Sequence, residues 1–69
     1  MKTIRKNARE EIRISRSEFK GYDLINVRVW FQDRETGTMR PGQNGLAFRA
    51  GLVDEIIDAL LDAKASAHG

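Results

Sequence analysis

The sequence of 69 residues has room for one small domain, and its lack of cysteine excludes both disulfides and thiolate metal sites. Its formal net charge of +2 is uneven: residues 1–49 contain eleven Lys/Arg and six Asp/Glu, a balance of +5, and residues 50–69 contain one Lys and four Asp/Glu, a balance of −3. No apolar run approaches the length of a membrane span and no signal-peptide core follows Met1, so a membrane or secreted protein is not predicted.

Residues 1–10 are basic and almost without apolar side chains, and we expect them to form a flexible arm. Residues 11–16 then alternate polar and apolar side chains, the pattern of a half-buried strand with Ile12 and Ile14 inward. Residues 17–21 interrupt this pattern, and Gly21 permits a turn.

Residues 23–33 are rich in β-branched and aromatic side chains and predict the longest strand. One parity is expected on the buried face of this strand: Ile25, Val27, Val29 and Phe31. The other parity is expected on the open face: Asn26, Arg28, Trp30 and Gln32.

Residues 33–37 predict a hairpin connection to a short third strand at residues 38–40. We expect Pro41-Gly42 to end that strand, because proline cannot donate to a sheet ladder. Asn44-Gly45 predicts a turn before a fourth strand at residues 46–49, with Leu46 and Phe48 in the core.

Beyond residue 50 the apolar period becomes helical and predicts an amphipathic helix that ends near Lys64. Its apolar residues are Leu52, Val53, Ile56, Ile57, Leu60 and Leu61, and acidic side chains occupy the other face. The predicted order is β-β-β-β-α in a single α+β domain over residues 11–64. Residues 65–69 are expected to form a tail that includes His68, the one histidine.

The predicted sheet is wider than a single helix can cover. Neighbouring strands lie about 4.8 Å apart, whereas a helix with its side chains is about 10 Å across. The paired apolar positions on the helix also form a broader stripe than one contact needs. Both features favour a homodimer whose interface contains the six apolar helix residues. The alternative is a monomer with an incompletely covered sheet.

The residue types for catalysis are missing or scattered, so we expect no enzyme, no cofactor and no metal site. Binding to a single nucleic-acid strand needs exposed rings interleaved with cations, and residues 16–22 and 28–31 supply both. Other roles are open for individual residues: Phe19 at the edge of the core, Trp30 in a dimer interface, Arg28 simply in solvent.

Five short motifs occur together in the order Glu18-Phe19-Lys20-Gly21, Leu24-Ile25-Asn26-Val27-Arg28, Trp30-Phe31, Met39-Arg40-Pro41-Gly42 and Gly45-Leu46. Over residues 11–63 this combination resembles the positive-cofactor-four family of transcriptional coactivators, with its bacterial and phage relatives. The resemblance implies a curved four-stranded antiparallel sheet followed by one helix, dimerising largely through the helices. It also implies binding of single-stranded DNA, or of melted duplex, with little sequence preference.

The resemblance assigns base stacking to Phe19 and Phe31, and phosphate or base contacts to Lys20, Arg28 and Arg40. This chain has Tyr22 and Asn44 where relatives often carry cations, so we expect stacking to contribute more of the DNA binding, and charge less, than in those relatives. Strict alternation conflicts with the resemblance at one point, because it turns Trp30 outward and Phe31 into the core; a bulge in the strand would change the parity. The complete predicted binding set is Arg13, Arg16, Phe19, Lys20, Tyr22, Arg28, Trp30, Phe31, Arg40 and Asn44.

The function predicted from the sequence is therefore sequence-nonspecific binding of single-stranded DNA by a homodimer in transcription, replication, recombination or repair. Transcription or replication proteins are possible further partners. The expected location is the cytoplasm, on the nucleoid, for a bacterial or phage protein, and the nucleus for a eukaryotic one. The alternatives are a regulator that binds RNA or duplex DNA, and a protein-interaction or dimerisation module.

Overall fold

The computed structural model describes residues 1–66 as an open antiparallel sheet followed by one helix. The four strands are adjacent in chain order: β1 (Lys2–Arg5), β2 (Glu10–Phe19), β3 (Tyr22–Gln32) and β4 (Met39–Arg49). A single 3₁₀ turn, Ala50–Leu52, leads into the helix α1, Val53–Ala65. The predicted fold class, a four-stranded antiparallel sheet with one C-terminal helix, is confirmed.

The N-terminal segment forms a strand, so the prediction of a flexible arm over residues 1–10 is wrong. Lys2–Arg5 pairs with β2, with Ile4 opposite Ile12. Two neighbours fix the turn that follows: Asn7 donates to the Glu10 carboxylate at 2.7 Å, and the Lys6 ammonium lies 3.0 Å from the same oxygen. These contacts, the Asn7 hydrogen bond first, hold the pKa of Glu10 below its usual value. A short polar segment is ordered here because an existing strand edge offers it a ladder.

Residues 39–49 form one strand, which corrects the prediction of two short strands separated by turns. Arg28 of β3 pairs with Gly45 and Trp30 pairs with Pro41, so β3 advances by two residues while β4 advances by four. The two additional residues of β4 form a bulge. Proline is tolerated here because β4 is an edge strand and Pro41 adjoins this irregularity.

The glycines beside this bulge allow the two backbones to approach closely. A Cβ at Gly45 would lie 2.8 Å from the carbonyl oxygen of Val27, and one at Gly42 would lie 2.9 Å from that of Val29. The Arg28 guanidinium also donates to the Gly42 carbonyl oxygen at 2.9 Å. The Asn44-Gly45 pair therefore belongs to a strand crossing its neighbour at short range, and it does not form a hairpin turn.

Pairing divides the sheet into two faces, because directly opposed residues point to the same side. We call the first the apolar face: Lys2, Ile4, Glu10, Ile12, Ile14, Arg16, Glu18, Asp23, Ile25, Val27, Val29, Phe31, Arg40, Leu46 and Phe48. The second is the polar face: Thr3, Arg5, Glu11, Arg13, Ser15, Ser17, Phe19, Tyr22, Leu24, Asn26, Arg28, Trp30, Gln32, Met39, Pro41, Gly45, Ala47 and Arg49.

The apolar face is not covered within one chain. The helix contacts chiefly the 3₁₀ turn and hardly touches the strands, and none of residues 1–66 is fully buried. Leu46, expected in the core, is 55% exposed, while Phe48 is half-buried. The predicted inward residues thus share one face of the sheet, but the described part of a single chain does not enclose them in a core.

Candidate nucleic-acid interface

Charge distinguishes the two faces of the sheet. The polar face carries four arginines (Arg5, Arg13, Arg28 and Arg49) against one carboxylate, Glu11, a balance of +3. The apolar face carries three cations and three carboxylates, a balance of zero. Among residues 1–66, only Arg13 of the four polar-face arginines forms an ion pair. The net positive charge of the strands therefore lies on the side that also carries the hydroxyl and amide side chains and the Phe19, Tyr22 and Trp30 rings.

Trp30 and Arg13 stack on the polar face near the end of β3. The Arg13 guanidinium carbon lies 4.1 Å from the centre of the Trp30 ring. The Glu11 carboxylate accepts hydrogen bonds from Arg13 Nε at 3.2 Å and Nη2 at 3.0 Å, which orients the guanidinium plane. A guanidinium over an indole places a positive charge beside an aromatic ring, a combination suited to contacts with bases and phosphates.

A second stacked pair joins the far end of β3 to β4. The Arg49 guanidinium carbon lies 4.2 Å from the centre of the Tyr22 ring. Between this pair and the first, the Asn26 amide donates to the Ser17 hydroxyl at 2.8 Å. Arginine–ring pairs and hydrogen-bonding side chains thus alternate along the polar face.

The β2–β3 hairpin projects two site residues at its tip. Phe19 pairs with Tyr22, and the two turn residues Lys20 and Gly21 have φ values of 51° and 83°. These angles are those of the type I′ turn that suits the twist of a two-residue hairpin. For Lys20 the left-handed conformation costs roughly 1–2 kcal/mol. The Phe19 side chain is 60% exposed, and the Lys20 ammonium lies 5.3 Å from its ring centre.

The ten predicted binding residues do not all lie on one face. Five occupy the polar face, namely Arg13, Phe19, Tyr22, Arg28 and Trp30, and Lys20 lies in the adjoining turn. Three occupy the apolar face, namely Arg16, Phe31 and Arg40, and Asn44 lies in the bulged part of β4.

Two of the apolar-face cations are already paired with carboxylates. Arg16 contacts Asp23 at 2.8 Å, and Arg40 contacts Asp33 at 2.9 Å. Phe31 is 40% exposed, so its parity with Val29 does not place it in a core. The ten-pair β2–β3 register is continuous and the bulge lies in β4, so Trp30 stays on the side of Arg28.

The sequence reading missed Arg49 and Arg5, which both lie on the polar face. Extending the outward parity of the last strand would have found Arg49. Finding Arg5 requires knowing that residues 2–5 pair with β2. Within the part of the chain that the structure describes, no three His, Cys, Asp or Glu side chains are grouped as metal ligands. No helix in residues 1–66 is long and apolar enough to cross a membrane.

The six apolar helix residues predicted to form a dimer interface remain accessible in the single chain. Leu60 and Leu61 are 64% and 59% exposed, Leu52 and Ile57 are also exposed, and Val53 and Ile56 are half-buried.

Comparison with known proteins gives matches over most of the sheet. Residues 6–59 match the family model of Transcriptional Coactivator p15 (PC4). The chain is 35% identical over 45 residues, 65% of its length, to the RNA polymerase II transcriptional coactivator SUB1 of Saccharomyces cerevisiae. It spans only 15% of the length of that yeast relative.

Two solved structures are similar as well. A PC4 homolog from Burkholderia pseudomallei K96243, in an orthorhombic crystal form, superimposes with a TM-score of 0.85 at 30% identity, covering 96% of this chain and 88% of that one. A bacteriophage T5 homolog of the eukaryotic coactivator PC4, implicated in recombination-dependent DNA replication, gives a TM-score of 0.57 at 26% identity, covering 90% of this chain and 69% of that one.

Proposed function

Since this chain belongs to the Transcriptional Coactivator p15 (PC4) family, a family of DNA-binding proteins, we propose that it binds single-stranded DNA without sequence preference, as a homodimer, through the polar face of each sheet. The observation that carries this proposal is the net charge of +3 on the polar face, together with the Trp30 and Tyr22 rings there, each of which stacks with an arginine. The apolar face, with no net charge, is assigned to the partner chain.

The rings and arginines of the polar face suit a strand whose bases are unpaired. Base–ring stacking contributes about 1–3 kcal/mol per base and accepts any base, while arginines attract the backbone phosphates. Exposed Phe19 and Tyr22 extend the stacking surface to the hairpin tip. In duplex DNA the base faces are covered by their neighbours, so these rings favour single strands. We propose that this binding serves transcription or replication, because the yeast relative is named as a transcriptional coactivator and the phage relative as implicated in DNA replication.

The dimer is supported by the surface area of the chain. A folded monomer of this mass, 7.8 kDa, is expected to expose about 4,400 Å². This chain exposes 5868 Å², an excess of about 1,500 Å². Burying that excess on both chains removes about 3,000 Å² from water, which is in the range of obligate homodimers.

The exposed apolar side chains available for this interface lie on the apolar face and on the helix that follows the sheet. We propose that the partner covers the apolar face together with the helix residues Leu52, Val53, Ile56, Ile57, Leu60 and Leu61. This arrangement supplies the core that residues 1–66 do not form by themselves and leaves both polar faces free. Light scattering at micromolar concentration should give twice the 7.8 kDa chain mass. A stable folded monomer would contradict the dimer.

DNA binding is tested by fluorescence anisotropy of a labelled oligo-dT strand over a salt series. If each of the four polar-face arginines contacts one phosphate, log K should fall with log salt at a slope of about −3 per sheet. Arg49→Ala should weaken binding and reduce that slope by about 0.7. Lys64→Ala, which removes the same charge from the end of the helix, is the matched control and should change neither.

Competition experiments separate this function from its rivals. Among competitors of equal length, single-stranded DNA should displace the labelled strand at the lowest concentration, RNA at a higher one and duplex DNA at the highest. A clear preference for duplex or for RNA would replace the proposal with the corresponding regulator. If no nucleic acid bound at low salt, the proposed function would be rejected in favour of a protein-interaction module.

A further inference from the structure

A cleft of about 370 Å³ lies where the β1–β2 and β3–β4 connections meet at one end of the sheet. Its walls are formed by Arg9, Gln32, Asp33, Arg34 and Gly37. None of these residues belongs to the predicted binding set.

The backbone holds Arg9 in place beside this cleft. The Arg9 N–H donates to the Asn7 side-chain oxygen at 3.0 Å, and the Arg9 carbonyl oxygen accepts from the Gln32 N–H at 2.9 Å. On the opposite wall, the Asp33 N–H donates to the Thr38 carbonyl oxygen at 2.8 Å, and the Gly37 N–H donates to the Asp33 carbonyl oxygen at 2.8 Å. Both walls are therefore built by backbone hydrogen bonds, which set the two loops at a defined separation.

The charge that remains in the cleft is positive. The Asp33 carboxylate is engaged on both oxygens, by Arg40 Nε at 2.9 Å and by the Glu35 N–H at 2.8 Å. Neither the Arg9 nor the Arg34 guanidinium forms an ion pair or a hydrogen bond with any of residues 1–66. Two unpaired guanidinium groups beside a neutralised carboxylate suit an anion, and a phosphate group matches their hydrogen-bonding geometry.

The cleft continues the polar face in the direction in which β3 runs. Gln32 is the next residue of that face after Trp30, and its side chain donates to the Gly37 carbonyl oxygen at 3.2 Å on the cleft wall. We propose that the cleft binds a backbone phosphate of the strand that lies on the polar face, so that the binding track extends past Trp30 onto Arg9 and Arg34. This inference rests on the proposed function and adds a contact at a site that the family motifs do not include.

The test compares two variants that each lower the net charge by two. Arg9→Ala/Arg34→Ala alters the cleft, and Lys64→Glu, at the end of the helix, is the control. Oligo-dT binding is measured by anisotropy over a salt series. The cleft variant should lower the salt slope by about 1.4, the value for two phosphates of a single strand. The control should keep the wild-type slope, and Arg9→Lys/Arg34→Lys should restore most of it.

A second experiment on the unaltered protein follows the Gly37 amide by NMR during titration with oligo-dT or with inorganic phosphate. Movement with oligo-dT that saturates together with the polar-face signals supports the proposal. Movement with inorganic phosphate alone would assign the cleft to a free anion and overturn it. A salt slope in the cleft variant equal to that of the wild type would also overturn the proposal for the cleft, but it would leave DNA binding by the polar face intact. Absence of oligo-dT binding by the wild type would instead reject the proposed function itself.

Discussion

The substitution Gly45→Ala should destabilise the fold, because the added methyl group would overlap with backbone and side-chain atoms of β3. A Cβ there would lie 2.8 Å from the Val27 carbonyl oxygen, 3.0 Å from Arg28 Cα and 3.1 Å from Arg28 Cβ. These atoms cannot give way easily, because β3 is paired on both sides, to β2 and to β4. The edge strand β4 must move instead, which weakens its ladder and displaces Arg28 from Gly42.

Overpacking of this kind costs about 1–3 kcal/mol, and each kcal/mol lowers the melting temperature of a domain this size by about 4–8 °C. Gly45→Ala should therefore melt well below the wild type in differential scanning calorimetry at equal protein concentration. Gly51→Ala is the matched control, because nothing lies within 4 Å of a Cβ at that position. Its free energy of unfolding should stay within about 0.5 kcal/mol of the wild type. Equal melting temperatures for the two variants would refute the close crossing of β3 and β4.

Three further predictions concern the interface, the rings and the N-terminal turn. Leu60→Asp should abolish the dimer and, because one chain buries none of its described residues fully, also the cooperative unfolding transition seen by circular dichroism; a folded monomer would contradict this. Trp30, the single tryptophan, should change its fluorescence on binding oligo-dT, and Trp30→Ala should cost about 1–3 kcal/mol of binding free energy measured by anisotropy; unchanged emission at saturation would speak against stacking. Because the folded protein lowers the pKa of Glu10 from 4.5, the turn's stabilisation should be complete above that pH and disappear as the pH falls through the lower value, seen as lower amide protection factors (exchange relative to the intrinsic rate at each pH) at Lys6 and Asn7. In Glu10→Gln these protection factors should not change over the same pH range, and an identical pH profile of the protection factors in both proteins would contradict the assignment.

Alternation in the sequence was sufficient to place the central strands. The parity of residues 25–31 separated Val27 and Val29 from Arg28 and Trp30, and the observed register keeps that separation. The helix is equally clear from its apolar period. These elements are predictable because their patterns are long enough to outweigh local exceptions.

The breaks in the last strand could not be predicted correctly from local rules. Pro41 and Asn44-Gly45 are turn signals in isolation, yet here they lie in an edge strand that bulges as it crosses β3. Their tolerance depends on β4 having no outer neighbour and on glycine at the points of closest approach. Both conditions belong to the assembled sheet.

The N-terminal strand shows the same dependence on the rest of the fold. Residues 1–10 bury too little apolar surface to order themselves, but the free edge of β2 gives Lys2–Arg5 a partner. That pairing moves Arg5 onto the polar face, and the turn that follows carries Arg9 to the cleft. The sequence indicated the basic character of this segment without indicating which surface its charges join.

A chemical-shift map of the full chain titrated with oligo-dT, with side-chain signals resolved for Arg13, Arg28 and Trp30, tests directly the claim that a single DNA strand lies on the polar face of the sheet. The largest shifts should fall on the polar face and the hairpin tip at Phe19 and Lys20, with the helix unaffected. Shifts concentrated on the apolar face or on α1, or no shifts at low salt, would contradict the claim.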